Sequence, residues 1–376
     1  FMSEISDMIQ RLCPDGVEYR KIKDTVGVNR GSRLTKSQLI DDGMYEVYHG
    51  SKDTPLGRYN HYNAPRYSTI VVNTGGIGGV KFLVDDFWCS DGSFWLGQVP
   101  YIEPKYLYYC LSGYEDYFYS KKRVGGVPTI DRAVVEDFEI PVPPLEVQRK
   151  IVEVLDNFSE LTAELTAELE VRKKQYEYYR DNLLNFNRGG QNVSDVKWMT
   201  LQEMSTNCDR LRKPITSSKR VSGNIPYYGA SGIVDYVQGY TCDGDFLLIS
   251  EDGANLLTRT TPIAFSISGK NWVNNHAHVI SFENQFTRRF VEYYFNSISL
   301  EPYITGGAQP KLNQENLNRI LIPIPPLAEQ ERIVSILDRF EALTTDLTSG
   351  LPAEIKARQQ QYEYYRDQLL TFKRAN

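Results

Sequence analysis

The chain has 376 residues, 24% charged and 41% apolar, with a formal net charge of −6 and a pI near 5.5. That length can bury two or three cores, the composition excludes a disordered chain, and no apolar run approaches the roughly 20 residues of a membrane span. The acidic balance counts against a nucleic-acid binder, because phosphate contacts need Lys and Arg; basic groups would have to gather on one face.

Phe1-Met2 reads as a remnant ahead of a native Met, and no signal peptide follows. Cys13, Cys89, Cys110, Cys208 and Cys242 are odd in number and never in C-x-x-C spacing. They point to a reducing, cytoplasmic setting and away from a disulfide scaffold or a zinc site.

Residues 3–142 form a first module of short β-like runs: 46–48, 68–72, 81–84 and 94–96, punctuated by Gly75-Gly76-Ile77-Gly78-Gly79. A helix is predicted over Lys105–Ser120, with Tyr106, Leu107, Tyr109, Cys110 and Tyr117 as its apolar side. Pro143-Pro144 then opens a helical region, 143–188. Ile151, Leu155, Phe158, Leu161 and Leu165 recur at three and four residues, and the stripe runs on to Phe186. No Gly or Pro interrupts residues 145–186, which predicts one helix of about 60 Å at ~1.5 Å per residue. Asn187-Arg188-Gly189-Gly190 should end it.

A second module, 189–324, repeats the plan at low identity. Residues 227–231 echo 47–51, residues 250–253 echo 72–75, and Gly306-Gly307-Ala308-Gln309-Pro310 stands where Gly125-Gly126-Val127-Pro128 stood. A second helical region, 325–376, closes the chain, and here the copies nearly coincide. Pro143-Pro144-Leu145 returns as Pro325-Pro326-Leu327, Leu155-Asp156-Asn157-Phe158 as Leu337-Asp338-Arg339-Phe340, and Gln-Tyr-Glu-Tyr-Tyr-Arg-Asp occurs at 175–181 and 361–367. Gly350-Leu351-Pro352 should end or kink the second strut. The expected fold is α/β (α+β): two similar modules with twisted, mainly antiparallel sheets, joined by two long helices in an antiparallel coiled coil with pseudo-twofold symmetry. Two similar heads on two similar struts suit a ligand with two separated parts, and duplex DNA is the obvious one.

Motifs of catalysis are missing. Ser268-Gly269-Lys270-Asn271 lacks the upstream Gly and the following Ser/Thr of a P-loop, and no H-E-x-x-H, G-x-S-x-G or kinase set occurs. Gly75–Gly79 is only loosely Rossmann-like. His276 and His278 form the one H-x-H pair, with no third metal ligand in view. No catalytic residue and no metal ligand is assigned. A self-sufficient methyltransferase would need an Asn/Asp-Pro-Pro-Tyr/Phe motif and a Gly-rich cofactor loop, and neither is present. A structural coiled-coil adaptor is the other alternative; it would not need two elaborate heads.

The Pro-Pro-Leu-x-x-Gln-x-x-Ile lead-ins, the Leu-Asp-x-Phe pairs, the tandem Thr162-Ala163-Glu164-Leu165 and Thr166-Ala167-Glu168-Leu169, and the paired Gln-Tyr-Glu-Tyr-Tyr-Arg-Asp strongly resemble the specificity (S) subunit of type I restriction–modification systems, IC-like group. The resemblance covers the whole chain: target-recognition domain 1, a central conserved helical region, target-recognition domain 2 and a C-terminal conserved helical region. It implies a noncatalytic, cytoplasmic bacterial or archaeal protein that reads a bipartite double-stranded DNA site, each domain taking one half across a nonspecific spacer. It also implies two methyltransferase (M) subunits as partners and, where present, restriction (R) subunits, with no membrane role. S-adenosylmethionine, ATP and Mg would serve those subunits, none of them this chain. Each Thr-Ala-Glu-Leu unit adds ~6 Å of helix, about two base-pair steps, so strut length should set the spacer.

Base reading needs donors and acceptors on projecting loops, with cations on phosphates. The expected DNA-binding residues of the first module are Ser51, Lys52, Asn73, Thr74, Lys81, Ser90, Asp91, Lys121, Lys122 and Arg123. Those of the second are Arg210, Arg212, Lys213, Lys219, Arg220, Ser231, Arg259, Asn274, Asn275, His276, Gln309 and Lys311. Exposed strut positions expected to meet partner subunits are Gln148, Arg149, Arg180, Gln330, Arg332 and Arg366.

Overall fold

The computed structural model describes residues 2–123, 125–186, 195–307 and 309–375, so the expected helix terminator 187–190 lies outside the described residues. Contacts divide the chain into two units: Phe1–Thr166 with Glu354–Asn376, and Ala167–Ala353. Each unit therefore holds one β-rich module, the first half of the strut that follows it and the second half of the other strut. Among the described residues no helix is long and apolar enough to cross a membrane.

In unit one a four-stranded antiparallel sheet runs, in spatial order, Val28–Arg30, Ser93–Leu96, Ser68–Val72, Val80–Leu83. A three-stranded sheet runs Gly57–Tyr59, Tyr45–Tyr48, Trp88–Cys89, with its last pair parallel. The strand Ser68–Val72 is buried throughout, and its alternation serves two cores. Ile70 joins Tyr48, Leu83, Phe87 and Cys89 between the sheets. Val71 joins Tyr106, Leu107, Cys110 and the strut residues Val147, Ile151 and Leu155.

Unit two repeats this. Thr206–Asn207, Ala277–Ser281, Phe246–Ser250 and Ala264–Ile267 form the antiparallel sheet, and Gly232–Val237, Ser222–Gly229, Lys270–Val273 and Cys242–Asp243 the other. The parallel register Val47↔Trp88, Tyr48↔Cys89 returns as Tyr227↔Trp272, Tyr228↔Val273, which is the echo read at 47–51 and 227–231. Each tryptophan Nε1 donates to a loop carbonyl, Trp88 to Ser32 and Trp272 to Lys213, both at 2.7 Å.

The first strut is a single helix, Leu145–Leu183, ending three residues short of the expected Phe186. The second is Leu327–Thr345 and then Leu351–Leu369, with Pro352 tolerated in the first turn of the new helix. Between them Asp346 accepts from the Thr348 N–H at 2.7 Å, and a Cβ on Gly350 would meet the Ala342 carbonyl oxygen at 2.5 Å. Only glycine lets the chain turn that tightly against the helix it has just left. From Leu-Asp-x-Phe to Gln-Tyr-Glu-Tyr-Tyr-Arg-Asp the second strut runs four residues longer than the first, and this turn takes them up.

Repeated residues make repeated contacts. In unit one Phe158 stacks on Tyr365 with ring centroids 5.1 Å apart; in unit two Tyr179 stacks on Phe340 at 5.5 Å. Phe158 and Phe340 are one repeat position and Tyr179 and Tyr365 the other, the reciprocal pairing that an antiparallel couple of equivalent helices demands. Tyr109 donates to Asp156 at 2.5 Å, and Tyr293 to Asp338 at 2.6 Å, tying each module to the aspartate of its own Leu-Asp-x-Phe.

The expected helix Lys105–Ser120 is two helices, Pro104–Ser112 and Glu115–Ser120, broken at Gly113. A Cβ at Gly113 would lie 2.8 Å from the Arg366 guanidinium carbon. The break lets that arginine in and turns Tyr117 outward, 40% exposed, instead of into the core.

Candidate nucleic-acid interface

In unit one the ends of the central strands converge. Gly76 N–H donates to the Gly50 carbonyl at 2.7 Å, Asn73 N–H to Gly92 at 3.1 Å, and Ile130 N–H to Asn73 at 3.0 Å. Thr74 and Arg123 both bridge to Thr129. The loops carrying Ser51, Asn73, Thr74, Asp91 and Arg123 thus form one cluster. Gly75 makes it possible: its φ is +80°, and a Cβ there would meet the Gly50 oxygen at 2.5 Å.

The side chains differ in what they have left to offer. Lys121 and Lys122 lie over Tyr117 and Tyr119, with Nζ 5.2 and 3.5 Å from the ring centroids, and carry no ion pair among the described residues. Arg123 is exposed and paired to Asp131 at 2.7 Å. Three expectations need correction. Ser90 is fully buried, accepting from Leu34 N–H and donating to Asp91. Lys52 is engaged by both oxygens of Glu115 at 2.7 Å, and Lys81 turns back onto the Tyr48 ring at 4.9 Å. Ser51 accepts from the N–H groups of Asp53 and Thr54, shaping its own turn. Asn73 is 7% exposed and its Oδ1 has no hydrogen-bond partner among the described residues.

Unit two builds the same cluster from other residues. Glu251 N–H donates to His276, Gly253 N–H to Pro310 at 3.0 Å, and Asn274 N–H to Tyr228 at 3.1 Å. Ser231, Asn275, His276, Gln309 and Lys311 are exposed around it; His276 Nδ1 sits 2.9 Å from Asp252. Arg210 and Lys213 are exposed on the adjoining loop, Lys213 over Trp272.

Here too some residues are committed elsewhere. Arg212 is held by Asp209 and Glu251, and Asn274 is buried, accepting from His276 N–H. Arg220 is fixed by Asp235 and the Tyr227 ring, and with exposed Lys219 it precedes the hairpin Ser222–Val237 rather than lying in the strand-end cluster. Arg259 caps the carbonyls of Phe295 and Ile298 at the end of the helix Gln285–Ser297, at 3.2 and 2.5 Å, and burial pushes its guanidinium below the ordinary value.

Of the six strut positions, Arg149 and Arg332 are exposed. Gln148 is fully buried: it accepts from Glu103 N–H at 2.8 Å and donates to Tyr101 and Pro143 carbonyls. Gln330 is buried likewise, donating to Pro325 at 2.7 Å. These glutamines lock the Pro-Pro lead-in to its helix, the structural reason for the Pro-Pro-Leu-x-x-Gln spacing. Arg180 and Arg366 are largely covered and lie beside Tyr176 and Tyr362 of their own helices.

Sequence reasoning passed over exposed Arg30, which ends the strand Val28–Arg30, and Arg33 and Lys36 on the following stretch, which adjoins Ser90. It also missed Asp209 and Glu251. No local motif marks such residues; only pairing across the sheets brings them to the cluster. Among the described residues no group of His, Cys, Asp and Glu is arranged to hold a metal.

The family described as the type I restriction modification DNA specificity domain matches residues 14–171 and 194–357. A putative type I restriction enzyme specificity subunit of Haemophilus influenzae is 46% identical over 187 residues, 49% of this chain and 48% of that protein. A type I restriction enzyme specificity subunit of Escherichia coli is 33% identical over 303 residues, 71% of this chain and 70% of the other. The crystal structure of a type I restriction–modification S subunit from M. genitalium shares the fold, with a TM-score of 0.67 and 18% identity over 94% of this chain and 96% of that one. The chain therefore belongs to the type I restriction–modification DNA specificity family and carries its domain twice.

Proposed function

We propose that this chain is the noncatalytic specificity subunit of a type I restriction–modification complex, reading a bipartite DNA site and holding the subunits that act on it. The observation that carries this is the duplication itself: one loop cluster built twice on the same register, with different side chains at its rim. Target-recognition domain 1 (3–142) reads one half-site and domain 2 (189–324) the other. The helical regions 143–188 and 325–376 set the spacer and present Arg149 and Arg332 to two methyltransferase subunits, with restriction subunits joining where present. Lys121, Lys122, Arg123, Arg210, Lys213 and Lys219 take phosphates; Thr74, Asp91, Ser231, Asn275, His276 and Gln309 face bases. S-adenosylmethionine, ATP and Mg belong to the partner subunits, and the complex works in the cytoplasm.

The test is co-expression with a methyltransferase subunit of the same system, followed by mapping of methylated adenines in host DNA. One two-part motif with a fixed run of unspecified bases is expected. A stable complex that leaves no motif would sink the reading. S-adenosylmethionine binding by the isolated chain would instead favour a self-sufficient methyltransferase.

A further inference from the structure

Beneath the exposed loops of unit two lies a charged cluster with no counterpart among the described residues of unit one. Its centre is His278, 1% exposed on the strand Ala277–Ser281. Its Nδ1 lies 2.8 Å from the Asp209 carboxylate and its Nε2 2.9 Å from the Leu312 carbonyl oxygen, so both ring nitrogens face acceptors. Asp209 also accepts from Val279 N–H at 2.8 Å and pairs with Arg212 at 3.2 Å. Arg212 continues to the Glu251 carboxylate and to the Ala277 carbonyl at 3.4 Å. Glu251, whose nearer oxygen is 3.9 Å from His278 Nε2, pairs at 3.1 Å with Lys311.

These side chains come from four separate stretches: the 209–213 turn, the end of the strand Phe246–Ser250, the 274–278 segment and the 305–312 loop. Those same stretches present Arg210, Lys213, Asn275, His276, Gln309 and Lys311. Register identifies what unit one places here. Phe94 pairs with Val71 as His278 pairs with Ile249, and Asn73 accepts from Ile130 N–H as Glu251 accepts from Leu312 N–H. Thr129 bridges Thr74 as Lys311 bridges Asp252. Phenylalanine, asparagine and threonine thus stand where unit two has imidazole, carboxylate and ammonium.

A satisfied polar network in a low dielectric fixes its members in one arrangement, and losing one partner strands the others. Reading loops need that fixity, since contacts must hold to about 0.5 Å. We propose that His278 and Glu251 are positioning residues for base reading by the second module alone, locking its four loops into one body. This rests on the DNA-reading function above; the residues themselves touch no base.

The experiment uses the full chain with its methyltransferase subunit and compares wild type, His278→Phe and Glu251→Gln by mapping methylated adenines. His278→Phe installs the side chain unit one uses, and Glu251→Gln keeps shape while removing charge. The expected result is a motif whose one half and spacer are intact, with discrimination at positions of the other half reduced about tenfold or more, the cost of a lost base contact. A merely structural role would lower methylation at every site and leave the motif unaltered, and that result overturns the proposal. So does relaxation of both halves together. If His278→Phe yields no chain, Glu251→Gln decides. Absence of any two-part motif in wild type would defeat the functional reading itself; a normal wild-type motif shared by both variants would defeat only the positioning role.

Discussion

The two units are the same scaffold, apolar at one place in the first and charged at the same place in the second. Both hang their loops on a buried central strand, Ser68–Val72 or Phe246–Ser250, and both seat a tryptophan Nε1 on a loop carbonyl. Under the loops, unit one is apolar at Phe94 and the Asn73 Oδ1 has no partner among the described residues, whereas unit two packs His278, Asp209, Arg212 and Glu251 against one another. The strand order and the strut motifs bear the fold, so they repeat. On the proposed function the layer between sheet and rim would support the reading, and it is here that the units differ.

The largest separation between the units is expected at the strut lead-ins. Gln148→Leu leaves one N–H and two carbonyls unpaired and should cost about 2–4 kcal/mol. Gln330→Leu loses one bond, to Pro325, and its Oε1 has no partner among the described residues, so about 1 kcal/mol is expected. Chemical denaturation of the two variants checks the order; equal losses would deny the asymmetry.

Next in size is the tie between module and strut. The Tyr293 hydroxyl meets Asp338, Glu341 and Arg289, whereas that of Tyr109 meets Asp156. Tyr293→Phe should therefore destabilise by about 2 kcal/mol and Tyr109→Phe by about 1. Thermal unfolding of the pair would read this.

Acid should loosen the second loop cluster before the first. Burial alone would raise Asp209 and Glu251. The bond to His278 for Asp209, and those to Arg212 and Lys311 for Glu251, hold both below their ordinary 3.8 and 4.5. Their stabilisation is complete above those ordinary values and is lost as pH falls through the lowered ones. Glu292, raised by burial, has the opposite sign, so global unfolding blurs the effect. The protection of the Val279 amide against exchange, which rests partly on its donation to Asp209, should fall on acidification while that of its counterpart Trp95 persists. Parallel behaviour at both would contradict it.

The smallest effects belong to phosphate contacts. Arg210→Ala or Lys122→Ala should weaken binding to cognate and unrelated duplexes alike and lower the salt slope by about one. A change confined to the cognate duplex would make that residue a base reader.

Much of this was legible in the sequence. The two-module plan, the mainly antiparallel sheets and the break at Gly350 follow from repeats and punctuation. In unit one Gly75 and Gly125 mark two of the stretches that the fold brings together, Asn73-Thr74 and the one ending at Arg123. What the pattern did not show was direction: Gln148 and Gln330 look like surface residues until the prolines before them need hydrogen bonds. Arg212 and Lys52 look like free cations until Glu251, just past the strand Phe246–Ser250, and Glu115, at the start of the helix Glu115–Ser120, arrive from far along the chain.

The most direct measurement exchanges residues 3–142 for the matching module of another family member and maps methylated adenines with the methyltransferase subunit present. Two independent readers on fixed struts predict that one half of the motif changes while the other half and the spacer remain. A motif altered in both halves, or in neither, would contradict the account.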